Sequence, residues 1–271
     1  MYVNMGSSVA REGGSPSVNH PSTLRHTFPM RCVIVIPARM GASRFPGKPL
    51  ADLLGKPMVQ WVWEAASKAG VGDRVIVATP DQEIVDACAS FGAEAILTSH
   101  NHVTGTDRIA EVAQKVVADV YVNVQGDEPL IRAESIKACA DPLLANPNIA
   151  MGSVYSECPS EEYDEPATVK VVTDGDGFAL YFSRYPIPFA RNERRIPVKK
   201  HVGLYAYRRD ALLDFSTWPM SDLEAAESLE QLRFMHHGIR IFMAPGAGTE
   251  LAVDTPEQAD QVRKILSERN G

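Results

Sequence analysis

The stretch Val33-Ile34-Val35-Ile36-Pro37-Ala38-Arg39-Met40-Gly41-Ala42-Ser43-Arg44-Phe45-Pro46-Gly47-Lys48-Pro49 decides the fold class. Its first four residues are an unbroken β-branched run, the pattern of a strand buried on both faces. The run stops at Pro37, and the loop beyond carries Gly41, Gly47 and three cations, Arg39, Arg44 and Lys48. A loop leaving the carboxyl end of the first strand of an α/β sheet is where nucleotides bind. Fixed cations and backbone amides freed by glycine are what a triphosphate requires. The plainer reading is a solvated basic loop, but Gly41, Pro46, Gly47 and Pro49 shape the chain for close backbone approach. The G-x-x-x-x-G-K-[ST] loop is absent, and Gly70-Val71-Gly72 and Gly246-Ala247-Gly248 both lack the third glycine of a dinucleotide fingerprint.

Outward from this stretch, strand-like and helix-like segments alternate. Arg74–Thr79 reads as a strand, Glu83–Phe91 as a helix, Ala95–Thr98 as a short strand, Asp107–Val117 as a helix and Val120–Val124 as a strand. Such alternation predicts parallel strands joined by right-handed crossovers. Beyond Ala150 the pattern loosens. Thr168–Thr173 and Phe178–Ser183 flank Asp174-Gly175-Asp176-Gly177, a hairpin turn signal. His201–Tyr207 is a further expected strand, Leu223–His236 a helix with His236 and His237 at its end, and Pro256–Leu266 a closing helix capped by Asp254 or Thr255. The expectation is an α/β chain with a doubly wound, mostly parallel nucleotide-binding sheet over 31–271 and a hairpin-rich insertion over about 150–220.

Bulk composition narrows the function. At 271 residues, with 45% apolar and 23% charged residues, the chain can bury a substantial core. A net charge of −7 argues against a general nucleic-acid binder, so the cations of 31–48 are a local concentration. Cys32, Cys88, Cys139 and Cys158 are widely spaced, as expected of reduced thiols in a cytoplasmic protein. No stretch has the roughly 18 apolar residues of a membrane span, so no membrane partner is expected. Residues 1–30, rich in Ser, Gly, Pro and Asn, read as a disordered tail or expression remnant.

Two carboxylates invite attention. Asp127 follows the apolar run Val120–Val124 beside Gln125, Gly126 and Glu128, and a carboxylate at a strand end can hold Mg²⁺ next to substrate phosphates. A surface Asp-Glu turn is the alternative. Asp254 has an evident structural role as a helix cap.

These motifs together resemble the sugar nucleotidyltransferases that activate acidic sugars with CTP. The resemblance runs from about residue 31 through Pro37-Ala38-Arg39 to Gly47-Lys48-Pro49, then Asn123-Val124-Gln125-Gly126-Asp127-Glu128-Pro129 and Tyr181-Phe182-Ser183-Arg184. It continues in His201-Val202-Gly203-Leu204-Tyr205, Leu229-Glu230-Gln231-Leu232-Arg233 and Val253-Asp254-Thr255-Pro256. It implies a GT-A-like nucleotidyltransferase fold, a homodimer contacting through the insertion, and an acidic octulosonate as acceptor in lipopolysaccharide synthesis. Another acidic sugar, such as an 8-amino-octulosonate or a sialic acid, is the alternative substrate, and a catalytically silent homologue the alternative class. By the same resemblance Asp127 and Asp254 hold Mg²⁺ and act in catalysis with Lys48. Arg39, Ser43, Arg44, Lys48, Thr79, Thr106 and Gln125 take CTP, and Arg184, His201, Tyr205, Glu230 and Gln231 line the sugar pocket. The segments Thr79-Pro80-Asp81 and Gly105-Thr106-Asp107-Arg108 are both candidates for reading the base. The chain has Pro80 and Thr104 where the family usually has an acidic residue and a serine.

Overall fold

A computed structural model describes residues 31–41, 44–192, 196–248 and 251–270; the expected tail over 1–30 lies outside the described residues. Strand β1 (Cys32–Pro37) is followed by a 3₁₀ turn over Lys48–Leu50 and a small ribbon, β2 (Asp52–Leu53) with β3 (Lys56–Pro57). Next come α1 (Met58–Lys68), β4 (Arg74–Thr79), α2 (Gln82–Ser90), β5 (Glu94–Leu97), α3 (Gly105–Lys115), β6 (Val120–Asn123) and α4 (Ala133–Ala145). The chain then runs through β7 (Met151–Glu157), β8 (Lys170–Thr173), β9 (Ala179–Ser183), β10 (Lys199–Arg208) and α5 (Arg209–Phe215). It closes with α6 (Asp222–Glu227), α7 (Gln231–His236), β11 (Ile241–Pro245) and α8 (Pro256–Asn270).

The main sheet has the order β11-β7-β10-β6-β1-β4-β5. The pairings β11–β7, β6–β1, β1–β4 and β4–β5 are parallel, whereas β10 is antiparallel to both of its neighbours in that path. The segment beyond residue 150 thus adds β7, β10 and β11 to the same sheet, while the β8–β9 hairpin hangs from the start of β10.

Side-chain alternation in β1 shows why its sequence is apolar throughout. Ile34 and Ile36 pack with Val59, Val62, Ile84, Ile136 and Leu143 of α1, α2 and α4. Val33 and Val35 pack on the other face with Ile109, Val112, Leu212 and Phe234 of α3, α5 and α7. A period of two sends successive residues to opposite layers, and both layers are covered by helices.

Three expectations are adjusted. The single helix expected over Leu223–His236 is two helices, broken at Ser228 in the left-handed region (φ 51). Helix α3 begins at Gly105 rather than Asp107, because Thr104 and Asp107 form a reciprocal capping box. Helices α1, α4 and α5 and strands β7 and β11 are additional elements. Pro142 inside α4 obscures its helical pattern.

Candidate active site

Beyond the carboxyl ends of β1, β5 and β6 the loops enclose a cleft of about 310 Å³, lined by Arg39, Arg44, Lys48, His102, Gln125, Asp127 and Asp254 among others. The loop after β1 is held at both ends. Asp81 accepts a hydrogen bond from Met40 N (2.8 Å), and Gly47 N donates to Met40 O (2.9 Å). Gly47 has φ +76, a conformation open to glycine without a Cβ clash, and it turns Lys48 into the cleft. Gly126 permits a second close approach, since a Cβ there would stand 2.6 Å from Pro37 O. The ends of β1 and β6 can therefore touch.

Lys48 is the hub. Its Nζ donates to Asp127 Oδ2 at 2.7 Å, Asp254 Oδ1 at 3.1 Å and Val253 O at 3.0 Å. Arg44 pairs with the other oxygen of Asp254 at 2.9 Å. Two carboxylates far apart in the chain therefore face one small volume. The cause is visible in the backbone and core. Val253 N donates to Asp127 O (2.8 Å), and the buried Val253 side chain joins Leu53, Met58, Leu130 and Val262 in a satellite cluster.

The cap of α8 is settled independently. Thr255 Oγ1 accepts from Gln258 N (3.4 Å), and Gln258 Oε1 accepts from Thr255 N and Asp254 N (3.0 and 2.7 Å). The Asp254 carboxylate is thereby left to the cleft.

A second polar cluster adjoins the first. Tyr205 donates to Gln231 Oε1 at 3.2 Å, and His201 Nε2 lies 3.0 Å from Ser153 Oγ. Thr106 Oγ1 donates to Glu230, joining the start of α3 to the start of α7. Burial raises the pKa of Glu230 and lowers that of His201 to about 3. His201 is therefore a neutral imidazole. Glu128 is buried against Gly203, and burial with the neighbouring Asp127 charge pushes its pKa up to about 8. Glu128 Oε2 and Gln231 Nε2 are buried with no hydrogen-bond partner among the described residues. A buried polar atom without a partner is costly, and a polyhydroxylated ligand can supply the missing bond.

The expected residues fall into two clusters and a remainder. Arg39, Arg44, Lys48, Gln125, Asp127 and Asp254 share the cleft. His201, Tyr205, Glu230 and Gln231 form the adjoining cluster, with Thr106 as its link. Thr79 is fully buried and its hydroxyl accepts from Asp81 N (3.1 Å), so it shapes the turn that presents Asp81. Arg184 stands elsewhere. Its guanidinium donates to the carbonyls of Glu227 (2.8 Å), Pro166 (3.0 Å) and Ser228 (3.3 Å), beside a depression lined by Asp164, Tyr185 and Pro186. Ser43 lies outside the described residues. Sequence reading passed over His102 and Ser153, because a lone histidine in a loop and a lone serine in a strand carry no local signal.

Comparison with known proteins accords with this geometry. The chain is 47% identical over 239 residues to a 3-deoxy-manno-octulosonate cytidylyltransferase of Escherichia coli, covering 88% of this chain and 97% of that protein. A Trichlorobacter lovleyi protein of the same name is 46% identical over 251 residues, with 88% and 100% covered. A solved CMP:2-keto-3-deoxy-manno-octonic acid synthetase complexed with CTP superposes with TM-score 0.86 at 46% identity, covering 88% of this chain and 99% of that one. A 4-diphosphocytidyl-2C-methyl-D-erythritol synthase from Anaerococcus prevotii shares the fold, with TM-score 0.61 at 11% identity and 89% and 100% covered. The cytidylyltransferase family model matches residues 33–241. With the cation loop, the paired carboxylates and the sheet that brings them together all inside or beside that span, the chain belongs to the cytidylyltransferase family.

Proposed function

We propose that this chain transfers CMP from CTP to the anomeric hydroxyl of 3-deoxy-D-manno-octulosonate, releasing pyrophosphate and supplying an activated sugar for lipopolysaccharide synthesis. One observation carries the reading: Asp127 and Asp254 converge on Lys48 in a cleft that also holds Arg39 and Arg44. The anomeric oxygen attacks the α-phosphorus, the bond to the bridging oxygen of the β-phosphate breaks, and the hydroxyl proton passes to solvent. No covalent intermediate on the chain is needed, because positioning and charge neutralisation supply the catalysis.

Arg39, Arg44 and Lys48 hold the triphosphate and stabilise the departing pyrophosphate. Two carboxylates beside a triphosphate repel it unless a cation lies between them. The donor set fits Mg²⁺, which binds one or two carboxylates together with substrate phosphates rather than an all-protein cage. Among the described residues no group of three or more His, Cys, Asp or Glu offers such a cage. Bound by Asp127 and Asp254, Mg²⁺ would lower the charge on the α-phosphate and orient the sugar hydroxyl.

The acceptor is proposed to lie on the adjoining cluster, where His201, Tyr205, Glu230 and Gln231 meet its hydroxyls. Arg184 stands outside that cluster, and its bonds to the carbonyls of Glu227 and Ser228 are proposed to hold the turn that leads to Glu230 and Gln231. The exposed Tyr185, Phe189 and Ile196 (75%, 84% and 60%) support a homodimer through this region. No helix among the described residues is long and apolar enough to cross a membrane, and the four buried thiols suit the cytoplasm.

Pyrophosphate release from CTP and Mg²⁺, measured against octulosonate, its 8-amino analogue and a sialic acid, tests the reading. Release with octulosonate at least about tenfold above the other sugars is expected. No release with any of them sinks it.

A further inference from the structure

Strand β7 runs between β10 and β11, and its first four residues, Met151 to Val154, are all buried. Among them stands Ser153, and a hydroxyl buried that deeply must find its partners inside the protein. It finds them at an irregularity of β10. Val202 pairs with Val154 and Tyr205 with Ser153, so Gly203 and Leu204 form a bulge with no opposite residue on β7. Bulges break the ladder locally and re-aim side chains beside active sites. Here Leu204 O accepts from Ser153 Oγ at 2.7 Å, while Val202 O lies 3.5 Å away.

A serine hydroxyl has one proton to give. It is spent on Leu204 O, because turning it elsewhere would set two oxygen lone pairs against each other at 2.7 Å. Toward His201, whose Nε2 stands 3.0 Å away, Ser153 Oγ can therefore only accept. The His201 ring is uncharged, since burial lowers its pKa to about 3. Its single ring proton thus sits on Nε2, and Nδ1 carries a lone pair.

Nδ1 makes no hydrogen bond among the described residues, and it is not one of the fully buried atoms left bare there, so a ligand can reach it. The ring plane is held as well. Phe182 meets it edge-on at 5.0 Å between centroids, and Tyr205 lies tilted against it at 5.4 Å. A ring fixed in plane and in tautomer is pre-organised for recognition.

We propose that Ser153 is a positioning residue of the acceptor pocket: by accepting from His201 Nε2–H it fixes the imidazole tautomer and keeps Nδ1 as a constant acceptor for a sugar hydroxyl. The proposal rests on the acceptor reading above. A ring free to move its proton would present a donor to that hydroxyl part of the time and bind the sugar less well. A serine that merely tied β7 to the bulge would affect folding and leave both tautomer and sugar affinity where they are.

The ring nitrogens are read by ¹⁵N NMR of histidine-labelled protein without substrate, with His201→Gln identifying the signals. The wild type is expected to show a protonated Nε2 and a bare Nδ1. Ser153→Ala should move both signals toward a shared, exchanging value, and Ser153→Thr, which keeps the hydroxyl, should restore them. In assays with CTP and octulosonate, Ser153→Ala should raise the Michaelis constant for the sugar at least about tenfold, with a smaller change in kcat. Ser153→Thr should recover most of that loss, and calorimetric CTP binding should stay unchanged in both. A thermal melt shows whether each variant is folded at the assay temperature. A proton on Nδ1 in the wild type overturns the assignment whatever the variants do. An unchanged tautomer, an unchanged sugar constant, or an equal loss of CTP affinity in Ser153→Ala overturns it too. With an active wild type, those results remove Ser153 alone. A wild type that releases no pyrophosphate with octulosonate removes the acceptor reading, and the sugar role of Ser153 with it.

Discussion

Lys48 joins two carboxylates that sequence alone could only name separately. Asp127 was legible as a candidate because it follows an apolar strand, but Asp254 looked as much like a helix cap as a ligand. The cap is instead made by Thr255 and Gln258, which frees the Asp254 carboxylate. Asp254→Asn should therefore abolish most turnover, at least about a hundredfold, yet change stability by no more than about 1 kcal/mol, as for exposed ion pairs. Asp127→Asn should behave alike. Steady-state rates with a thermal melt check both, and a near-native rate in either would remove that residue from catalysis. Arg184 teaches the opposite lesson, because its type suggested carboxylate recognition while its guanidinium ties the Pro166 carbonyl to those of Glu227 and Ser228, just before Glu230 and Gln231. Arg184→Ala should raise the Michaelis constant for the sugar at least about tenfold and lower stability by about 1.5–3 kcal/mol, the range for charged hydrogen bonds. Arg184→Lys should rescue neither, because only the planar fork spans several carbonyls. Weaker CTP binding with an unchanged sugar constant would place Arg184 at the nucleotide instead.

Helices α6 and α7 show how periodicity misleads. Leu223, Leu229 and Leu232 carry an apolar rhythm across the break, so the sequence reads as one helix. The break is made by long-range bonds. The Glu227 carboxylate accepts from Ser183 Oγ (2.6 Å) and Arg184 N (2.9 Å), tying the end of α6 to β9. Ser228 then turns into the left-handed region, and Glu230 and Gln231 begin a new helix facing Thr106 and Tyr205. Arg233 holds the two helices together through a two-pronged pair with Glu224, buried on both sides. Removing one partner strands the other charge in the interior, so Arg233→Ala should cost about 3–5 kcal/mol. Urea unfolding of the variant measures this, and a loss under about 1 kcal/mol would mean the pair is far better solvated than its burial indicates.

At the scale of the whole molecule, His201 makes one pH-dependent contribution to stability, opposed over the same range by Glu128, whose raised pKa favours the fold at low pH. The folded-state pKa of His201 is depressed to about 3 from an ordinary 6.5, so the unfolded chain binds the extra proton first. The contribution is complete above pH 6.5 and is lost as pH falls from there toward 3. At pH 5 the loss relative to pH 7 is at most about 2 kcal/mol, an upper bound because the ring keeps some contact with solvent. Denaturant unfolding of wild type and His201→Gln at the two pH values tests this; identical pH slopes would show that another group governs the acid limb. The sequence by itself determined the α/β class, the first strand and its cation loop, and the alternation up to β6, because burial on both faces and turn chemistry are written in neighbouring residues. Tertiary structure alone decided that β7, β10 and β11 complete the same sheet, since their pairings join residues far apart in the chain. It also decided that Asp127 meets Asp254 at Lys48. That meeting depends on the burial of Val253 and one backbone hydrogen bond across the molecule, and neither leaves a local pattern in the chain.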